Sequence, residues 1–437
     1  MSVQTNFLPD LAHINQSQAI SLSILLIAAT LWVTEWTPLY ITSFIILFLQ
    51  VTWLLPTLHK VVSTSDRQAY YSPFFSDIIL LFLGGFILAS ALHKYALDAR
   101  IANWLLKRTG SKPANVMLGM MIICAILSMW MSNTATTAMM FAILLPILDK
   151  IPAGNPFSKA LALCIPFACN LGGLGTPIGT PPNAIAMNYL AEAGLNISFG
   201  QWMMATFPFL ILFLGLLWFV LLKIYPPGDL VLELPHMENM PLTAKHYFII
   251  FTFLLTILGW LTTKVHGYSI GTASLLPVLL IFGSGLLKSS DFKQLPWDVL
   301  FMVGGGICLG VGLKESGLTK EIVNLVPVGA QVITIIITFA VLASLMTTFM
   351  SNTATANLLI PLAVSIEGPV SLIILTIALC CSTAMALPVS TPPNAIAFGS
   401  GLLETRDMIK PGVIITLIAL VGLLSFGSLY WPIVLGV

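Results

Sequence analysis

The sequence predicts an all-α polytopic membrane protein built from two copies of one unit. Three observations lead to this prediction. The chain of 437 residues is 57% hydrophobic and only 8% charged, whereas a soluble protein carries about 25% charged residues. Its apolar residues fall in runs of about 20, the length of helix that crosses the hydrocarbon core of a membrane. The motif MSNTAT occurs at residues 131–136 and again at 350–355.

The apolar runs predict three kinds of segment. Two stretches, 114–149 and 330–366, each have two short apolar arms around a polar MSNTAT tip, and we expect re-entrant hairpins there. Two others, 158–194 and 370–399, are apolar but interrupted by Gly- and Pro-rich motifs, so broken helices are expected. Continuous spans are predicted at 17–34, 38–56, 77–97, 205–224, 246–264, 268–287, 298–316 and 411–434.

The segments follow the same order in both halves, which divides the chain into two repeats. The repeats are predicted at 17–224 and 246–437, with an N-terminal tail at 1–16 and a polar linker at 225–245. The third span of each repeat carries an Asp and a Gly pair at one spacing: Asp77, Gly84 and Gly85, then Asp298, Gly305 and Gly306. Five full crossings per repeat is an odd number, so the second repeat is predicted to enter the membrane inverted.

The basic residues predict the orientation in the membrane. With the N-terminus outside, most of the 18 Lys and Arg residues fall on the cytoplasmic side, as the positive-inside rule requires. Both termini are therefore expected outside, in a multi-pass protein of a bacterial inner membrane. Residues 98–110 alternate apolar and basic positions at helical spacing, which predicts an interfacial helix on the cytoplasmic face. The alternative is a continuation of the preceding span.

The composition and the isolated polar residues give little indication of nucleic-acid binding, an organic cofactor or a metal site. The net charge of +1 offers no basic face for nucleic acid, and no organic cofactor is expected. Glu35 is an intramembrane carboxylate at a span end, where we expect an interfacial or structural role rather than a functional one. Asp77 and Asp298 are expected to stabilise the N-terminal ends of equivalent spans. The cysteines are expected to be buried thiols rather than metal ligands or disulfides: Cys124, Cys164, Cys169, Cys308, Cys380 and Cys381.

Each MSNTAT motif is a polar island in apolar surroundings. Unpaired amides and hydroxyls at membrane depth persist only where they line a cavity. Ser, Asn and Thr are good N-cap residues, so the tip would present hydroxyls, an amide and the free N–H groups of a helix end. Such ends attract anions. Two tips that enter from opposite faces are expected to converge on one negatively charged ligand near the midplane.

The broken helices carry a second repeated motif, GTPPNAIA at residues 179–186 and STPPNAIA at 390–397. Paired prolines remove two backbone donors and free upstream carbonyls. These carbonyls, with Ser, Thr and Asn oxygens, are hard ligands that suit Na⁺. Neither motif contains a charged side chain or His, so an anionic substrate is expected to need co-bound cations. A single copy of either motif is usually structural, but two copies of both in the same order favour a functional site.

Both motif pairs closely resemble those of the divalent anion/sodium symporter family, the INDY-like carboxylate transporters. The resemblance covers nearly the whole chain from about residue 17. It implies a homodimer in which a scaffold domain holds a transport domain that moves by an elevator mechanism. It also implies uptake of di- or tricarboxylates of the succinate, malate, fumarate and citrate class, with Na⁺ as the coupling ion.

The resemblance implies two sodium sites and one substrate site. One sodium site is expected at Ser128, Ser132, Asn133 and the Gly179 carbonyl, and its mate at Thr347, the Met350 carbonyl, Asn352 and the Ser390 carbonyl. The substrate carboxylates are expected at Ser132, Asn133, Thr134, Ser351, Asn352, Thr353, Thr180, Pro181, Thr391 and Pro392. Ser128 and Thr347 each stand four residues before their motif serine, one helical turn away on the same face, which agrees with the repeat.

The sequence departs from the family pattern at a few positions. It lacks the extra N-terminal span that many members place before the first repeat. Ser390 stands where these symporters often have Ala, and Met385 and Ala397 replace a common Phe and Val. These positions bear on ion and substrate preference. Exchangers in the family tend to place basic residues near the sites, and the motifs here have none, which favours symport over exchange.

The main hypothesis is therefore a secondary active Na⁺/dicarboxylate symporter. Its nearest rivals are a transporter of sulfate or another inorganic anion and a carboxylate exchanger. An anion channel is less favoured. An intramembrane enzyme is least favoured, because no nucleophile–base pair or metal-ligand cluster is evident and Ser132 has no His or Lys at helical spacing to activate it.

Overall fold

The computed structural model describes residues 14–59, 66–152, 154–232, 241–324, 331–364, 366 and 368–436. All regular structure in these ranges is helical. The first half contains α1 (Gln16–Thr34), α2 (Leu39–Leu49), α3 (Leu55–Leu58), α4 (Arg67–Tyr71), α5 (Asp77–Lys94), α6 (Leu97–Leu106), α7 (Pro113–Ser128), α8 (Asn133–Leu148), α9 (Phe157–Gly172), α10 (Pro181–Glu192) and α11 (Phe199–Ile224).

The second half continues the all-helical pattern. It contains α12 (Ala244–Leu261), α13 (Thr263–His266), α14 (Ile270–Ala273), α15 (Leu275–Pro277), α16 (Ser289–Lys293), α17 (Trp297–Glu315), α18 (Leu318–Asn324), α19 (Val332–Phe349), α20 (Asn352–Ala363), α21 (Val370–Thr383), α22 (Pro392–Gly399), α23 (Thr405–Gly422) and α24 (Ser428–Leu435). Short 3₁₀ and π segments join some of these helices. Most of the predicted N-terminal tail and residues 233–240 of the predicted linker lie outside the described residues.

Nine helices in the described ranges are long and apolar enough to cross a membrane. The prediction of a polytopic all-α membrane protein is thus confirmed, while the inverted arrangement of the repeats stays a prediction. The nine are Gln16–Thr34, Leu39–Leu58, Arg67–Lys94, Phe157–Gly175, Phe199–Ile224, Ala244–Leu261, Trp297–Glu315, Val332–Phe349 and Thr405–Leu435.

Two spans begin earlier than predicted, and both errors have one cause. Helix α11 begins at Phe199 rather than at 205, and α23 begins at Thr405 rather than at 411. The Ser198 hydroxyl caps α11 by accepting the Gln201 N–H, and a carboxylate in the first turn of α23 accepts the N–H of the residue before that helix. Polar capping residues lower the local hydropathy, so the hydrophobic run starts after the helix does.

The predicted span 268–287 is shorter in the structure than in the prediction. The apolar helical run covers only Ile270–Phe282, which rises about 20 Å and falls short of the ~30 Å hydrocarbon core. The chain then turns at Gly285, whose φ of +74° suits glycine. The run closes with a π-helical segment at Val278–Phe282, and the second span of the first repeat carries one at Gln50–Leu54.

The region predicted at 98–110 forms a helix of its own. Ala96 has a φ of +52°, a left-handed conformation that ends α5 and separates it from α6. The alternative of a continued span is therefore wrong, while the interfacial position of α6 stays a prediction. Glu35 also has a positive φ, of +49°, and its exposed side chain lies just after the end of α1.

The two predicted broken helices form the centre of the core. Every residue from 160 to 172 in α9 and from 371 to 383 in α21 is buried. Helices α7, α8 and α11 pack on α9, and α19 and α20 pack on α21. Among the nine spans, α12, α19 and the α23–α24 span bury the smallest share of their residues. All six cysteines are free and buried, as expected.

The helices that follow the two breaks cross to the opposite half of the chain. Helix α10, from the first half, packs on α20 and α21, whereas α22, from the second half, packs on α8 and α9. Each motif helix therefore lies against the tip helix of the other half. The exchange also joins the two broken segments, where Asn170 contacts Thr391 and Asn394.

Candidate functional site

The first MSNTAT tip is a tight turn between two helices. Helix α7 ends at Ser128 and α8 begins at Asn133. Ser132 has extended backbone, and its hydroxyl caps α8 by accepting the Ala135 N–H at 3.1 Å. The Ser128 hydroxyl donates to the Asn133 side-chain carbonyl. Ser132 and Thr134 are exposed at the tip, and Ser128 is buried behind it.

Close backbone packing holds the first tip against the first broken segment. A methyl group on Gly173 would lie 3.1 Å from both the oxygen and the nitrogen of the Asn133 amide and 3.2 Å from the Gly179 carbonyl oxygen. The Asn133 side chain and the Gly179 carbonyl therefore border the same narrow space. The Thr176 hydroxyl also donates to the Met129 carbonyl at 2.5 Å, which ties the broken segment to the end of α7. The residues predicted for the first sodium site thus come together.

The second tip repeats the local design of the first. Ser351 caps α20 by accepting the Ala354 N–H at 3.1 Å. The Thr347 hydroxyl oxygen lies 2.6 Å from the Asn352 side-chain carbonyl, as Ser128 lies beside Asn133. The second tip is less open than the first: Thr353 is buried, whereas its counterpart in the first tip is exposed.

A cluster of oxygens surrounds Thr347. Its hydroxyl oxygen lies 2.6 Å from Asn352 Oδ1 and 2.8 Å from the Cys381 carbonyl, but a hydroxyl has one proton and can satisfy one of these acceptors at a time. Such an excess of lone pairs over protons suits a cation. The Cys381 carbonyl is a potential ligand that the sequence reasoning missed, because a backbone oxygen leaves no sequence signal.

Ser390 uses its side chain to hold the second broken segment in place. Its hydroxyl donates to the Thr348 carbonyl at 2.8 Å and accepts the Leu387 N–H at 3.3 Å. The Ser390 hydroxyl, which an alanine would lack, thus makes a structural contact with the residue next to Thr347. Met350 follows the end of α19 and has extended backbone (φ −137°, ψ 171°). Its carbonyl is therefore not aligned with the carbonyls of that helix.

An asparagine clamps each broken segment. Asn183 Nδ2 donates to the carbonyls of Gly173 at 2.9 Å and Thr176 at 2.8 Å. Asn394 Nδ2 donates in the same way to the carbonyls of Met385 at 3.1 Å and Leu387 at 3.0 Å. The Thr-Pro-Pro-Asn motif therefore closes the interrupted backbone with its own amide. In each segment one of the two clamped carbonyls, that of Thr176 or Leu387, also accepts a backbone N–H.

The two threonines of these motifs lie at equivalent helix starts but differ in their contacts. Thr180 and Thr391 both have extended backbone and precede the proline that begins a helix: Pro181 for α10 and Pro392 for α22. The Thr391 hydroxyl accepts the Asn394 N–H at 3.3 Å. The Thr180 side chain makes no capping bond of this kind.

Asn170 is a further polar residue of this region, and the sequence reasoning missed it. It lies in the buried part of α9, and its Nδ2 is 3.1 Å from Thr391 Oγ1 and 3.3 Å from Asn394 Oδ1. The available signal was a lone amide inside an apolar helix. It was overlooked because the second half has Cys381 at the corresponding position, nine residues before the motif.

Neither MSNTAT motif contains a charged side chain, so the field that the tips themselves supply comes from helix ends and polar groups. Each of α8 and α20 contributes about half a positive charge at its N-terminus. Within the described ranges, no group of three or more His, Cys, Asp and Glu side chains is arranged to hold a metal ion. A cation in this region would be bound by neutral oxygens. The ion pairs Lys159–Asp407 and Lys94–Asp291 join residues outside the motifs.

Known proteins are similar to this chain over most of its length. The profile of a family described as "Citrate transporter" (CitMHS) matches residues 29–379. The chain is 33% identical to a "Sodium-dependent dicarboxylate transporter SdcS" of Staphylococcus saprophyticus, over 99% of this chain and 89% of that protein. It is 31% identical to the "Inorganic phosphate transporter PHO87" of Saccharomyces cerevisiae, over 91% of this chain and 45% of that protein.

A third relative resembles the phosphate transporter in its coverage. The "Uncharacterized transporter C3B8.04c" of Schizosaccharomyces pombe is 30% identical over 95% of this chain and 50% of its own length. The chain thus spans about half the length of the two yeast relatives it matches.

Proposed function

The chain belongs to the citrate transporter family and, with it, to the divalent anion/sodium symporters that its motifs resemble, a family of transporters rather than enzymes; from this premise we propose that it couples the inward flow of Na⁺ to uptake of di- or tricarboxylates. The observation that carries the proposal is an oxygen pair that occurs twice. A hydroxyl one turn before each motif contacts the motif asparagine, as Ser128 with Asn133 and Thr347 with Asn352.

The anion is proposed to bind between the two tips. The helix starts at Ser132 and Ser351 each use one side-chain oxygen to cap one N–H, which leaves further N–H groups of α8 and α20 to face a ligand. Thr134, Thr353, Asn133, Asn352 and the two Thr-Pro starts would add neutral donors. Two helix ends supply about one positive charge in total, so a dicarboxylate needs additional cations nearby.

Sodium supplies those cations in the proposed mechanism. The first ion would be bound by Ser128, Ser132, Asn133 and the Gly179 carbonyl, and the second by Thr347, Asn352 and the carbonyls of Met350 and Ser390. Both groups consist of neutral oxygens, the ligands of a monovalent hard cation. Because each tip would hold carboxylate on one side and Na⁺ on the other, loss of either ligand weakens the other, which is the basis of coupled transport.

The remaining features of the proposal are inverted repeats, an elevator movement and a homodimer. The similar order of helices in the two halves supports the repeats, as do the π segments at Gln50–Leu54 and Val278–Phe282. A multi-pass protein of the plasma membrane, with both termini outside, fits the helices and the basic residues. Blue native electrophoresis and crosslinking in membranes would test the dimer.

Transport in proteoliposomes tests the central claim. Uptake of radiolabelled succinate is measured with an inward Na⁺ gradient, with choline replacing Na⁺, and with the gradient collapsed by a sodium ionophore. We expect rapid uptake under the first condition alone. Equal uptake with and without Na⁺ would rule out the proposed coupling, and protein-free liposomes control for leakage. Uptake driven only by preloaded internal carboxylate would indicate an exchanger instead.

An inorganic anion is the second candidate substrate. It is favoured by the relative named as an inorganic phosphate transporter, which is nearly as similar to this chain as the dicarboxylate transporter. Competition by unlabelled phosphate or sulfate in the succinate assay separates the two candidates. The dicarboxylate proposal predicts that malate and fumarate compete at concentrations where phosphate and sulfate do not.

A further inference from the structure

Asn170 connects the two broken helices through its side chain. It is only 1% exposed, and its amide nitrogen donates to Thr391 Oγ1 and Asn394 Oδ1 in the other half of the chain. Its own carbonyl oxygen has no hydrogen-bond partner among the described residues. Both protons of the Asn170 amide are therefore directed at residues of the second Thr-Pro-Pro-Asn motif.

The direction of these hydrogen bonds is determined by the surroundings. Asn394 Nδ2 contacts two backbone carbonyls, of Met385 and Leu387, which can only accept. Asn394 Oδ1 must therefore be the acceptor that faces Asn170, and the nearest atom of Asn170 must be its nitrogen. The remaining proton of that nitrogen then points to Thr391 Oγ1.

Thr391 is left with a single role toward any ligand. Its hydroxyl oxygen accepts from Asn170 Nδ2 at 3.1 Å and from the Asn394 N–H at 3.3 Å, so both lone pairs are used. The hydroxyl proton has no acceptor within the described part of the chain. A hydroxyl in this state donates and does not accept, which suits contact with an anion.

The corresponding threonine in the first half lacks this arrangement. Asn170 lies nine residues before the first Thr-Pro-Pro-Asn segment, which begins at Gly179. The equivalent position in the second half, nine residues before Ser390, is Cys381, which has no side-chain amide. Asn183 Oδ1, the counterpart of the oxygen that Asn170 contacts, has no partner among the described residues. The Thr180 hydroxyl is therefore not oriented by an amide.

We propose that Asn170 is a positioning residue that holds the Thr391 hydroxyl as a hydrogen-bond donor to one carboxylate of the substrate. The inference rests on the carboxylate transport proposed above and adds a specificity-determining residue to it. Asn170 itself need not touch the substrate. Its effect passes through Thr391, so it should alter the affinity for the anion rather than the rate of the transport cycle.

A double-mutant cycle tests this dependence. Succinate KM, maximal rate and half-saturating Na⁺ are measured in proteoliposomes for wild type, Asn170→Leu, Thr391→Val and the double variant. We expect Asn170→Leu to raise KM at least about tenfold, the typical effect of losing a hydrogen bond to a charged acceptor, with the maximal rate within about twofold. In the Thr391→Val background the same substitution should change KM by less than about twofold.

Two further measurements keep the test decisive. If Asn170→Leu does not fold, the isosteric Asn170→Asp replaces it in the same cycle, because a carboxylate would draw the Thr391 proton away from the substrate. Asn188→Leu removes an amide whose side-chain hydrogen bond, within the described part of the chain, goes to Glu192 on α10, and it should leave KM unchanged. Additive effects in the cycle, or an unchanged KM in Asn170 variants, would overturn the inference. Wild-type protein that neither transports nor binds any carboxylate would overturn the proposed function and the inference together.

Discussion

The two MSNTAT tips have the same sequence but are held in place by different means. The first tip is joined to its broken segment by a side-chain hydroxyl bond and also by close glycine packing: Asn133 lies against Gly173, and a methyl group added to Gly172 would be 2.6 Å from the Cα of Ala125. The second tip relies on side-chain hydrogen bonds, including that from the Ser390 hydroxyl to the backbone before the tip.

The helices that precede the two tips also differ in how much protein surrounds them. Helix α7, before the first tip, packs extensively on the buried helix α9, whereas α19, before the second tip, exposes much of its surface. Close backbone contact can hold a tip that is surrounded by protein. A tip on a more exposed helix needs directional bonds to keep its geometry. One motif can therefore be held in a membrane protein by polar contacts alone or by polar contacts together with close packing.

The largest expected effect concerns the clamp that both halves share. Asn183→Leu and Asn394→Leu each remove two hydrogen bonds to backbone carbonyls of a broken segment, and in each segment one of the two carbonyls keeps a backbone N–H donor. Each variant should lose about 2–4 kcal/mol of stability, since an unsatisfied buried acceptor costs about 1–3 kcal/mol and a second lost hydrogen bond about 1 kcal/mol. Thermal unfolding in detergent, followed by size-exclusion fluorescence, measures the loss. A normal melting temperature for either variant would show that the clamp is not common to both halves.

The next effect is specific to the packed first tip. In Gly172→Ala, the new methyl group would meet both the Cα and the carbonyl oxygen of Ala125 at 2.6 Å, so α7 and α9 must separate. We expect a loss of about 1–3 kcal/mol in the same unfolding assay. Gly215→Ala is the matched control, because nothing lies within 4 Å of its added methyl group and Ala is the better helix former. Equal melting temperatures for the two variants would contradict the role of close packing.

The sharpest comparison uses the two residues before the Thr-Pro-Pro-Asn motifs. In Gly179→Ala, the methyl group would overlap the Gly173 carbonyl oxygen and lie 2.9 Å from its Cα, which should cost about 1–3 kcal/mol. Ser390→Ala keeps the space but loses the bond to the Thr348 carbonyl, for about 1 kcal/mol. In unfolding measurements on both variants, Gly179→Ala should have the lower melting temperature. The reverse order would mean that packing does not distinguish the halves.

The smallest effect concerns the hydroxyls one turn before each tip. Thr347→Val and Ser128→Ala each remove the hydroxyl beside the motif asparagine, and we expect the apparent affinity for Na⁺ to fall about fivefold, close to 1 kcal/mol. Stabilisation against heating at increasing NaCl, with choline chloride to keep ionic strength constant, measures this affinity. Thr338→Val is the control, because it removes an exposed hydroxyl on α19 that donates to a carbonyl of the same helix. Na⁺ affinity unchanged in both site variants would argue against these hydroxyls as ligands.

Much of the helical arrangement could be predicted, and the errors have physical causes. Span ends were predicted well where apolar residues stop abruptly, as at α1 and α17. They were misplaced at α11 and α23, where capping residues precede the apolar run. The span predicted at 268–287 was too long, because a run of apolar residues cannot reveal that a glycine with positive φ ends the helix early.

The sequence by itself determined the class of the protein, the order of its segments and the residues of both motif pairs. These depend on local properties: the length of the apolar runs, the polar residues that interrupt them, and short motifs that occur twice. The tertiary structure alone decided that α10 and α22 exchange halves, that close glycine packing adds to the hydrogen bonds at the first tip, and that Asn170 reaches Thr391. The contact of Asn170 with Asn394 joins residues 224 positions apart. Contacts of this kind depend on backbone approach and amide direction, which leave no periodic signal in a sequence.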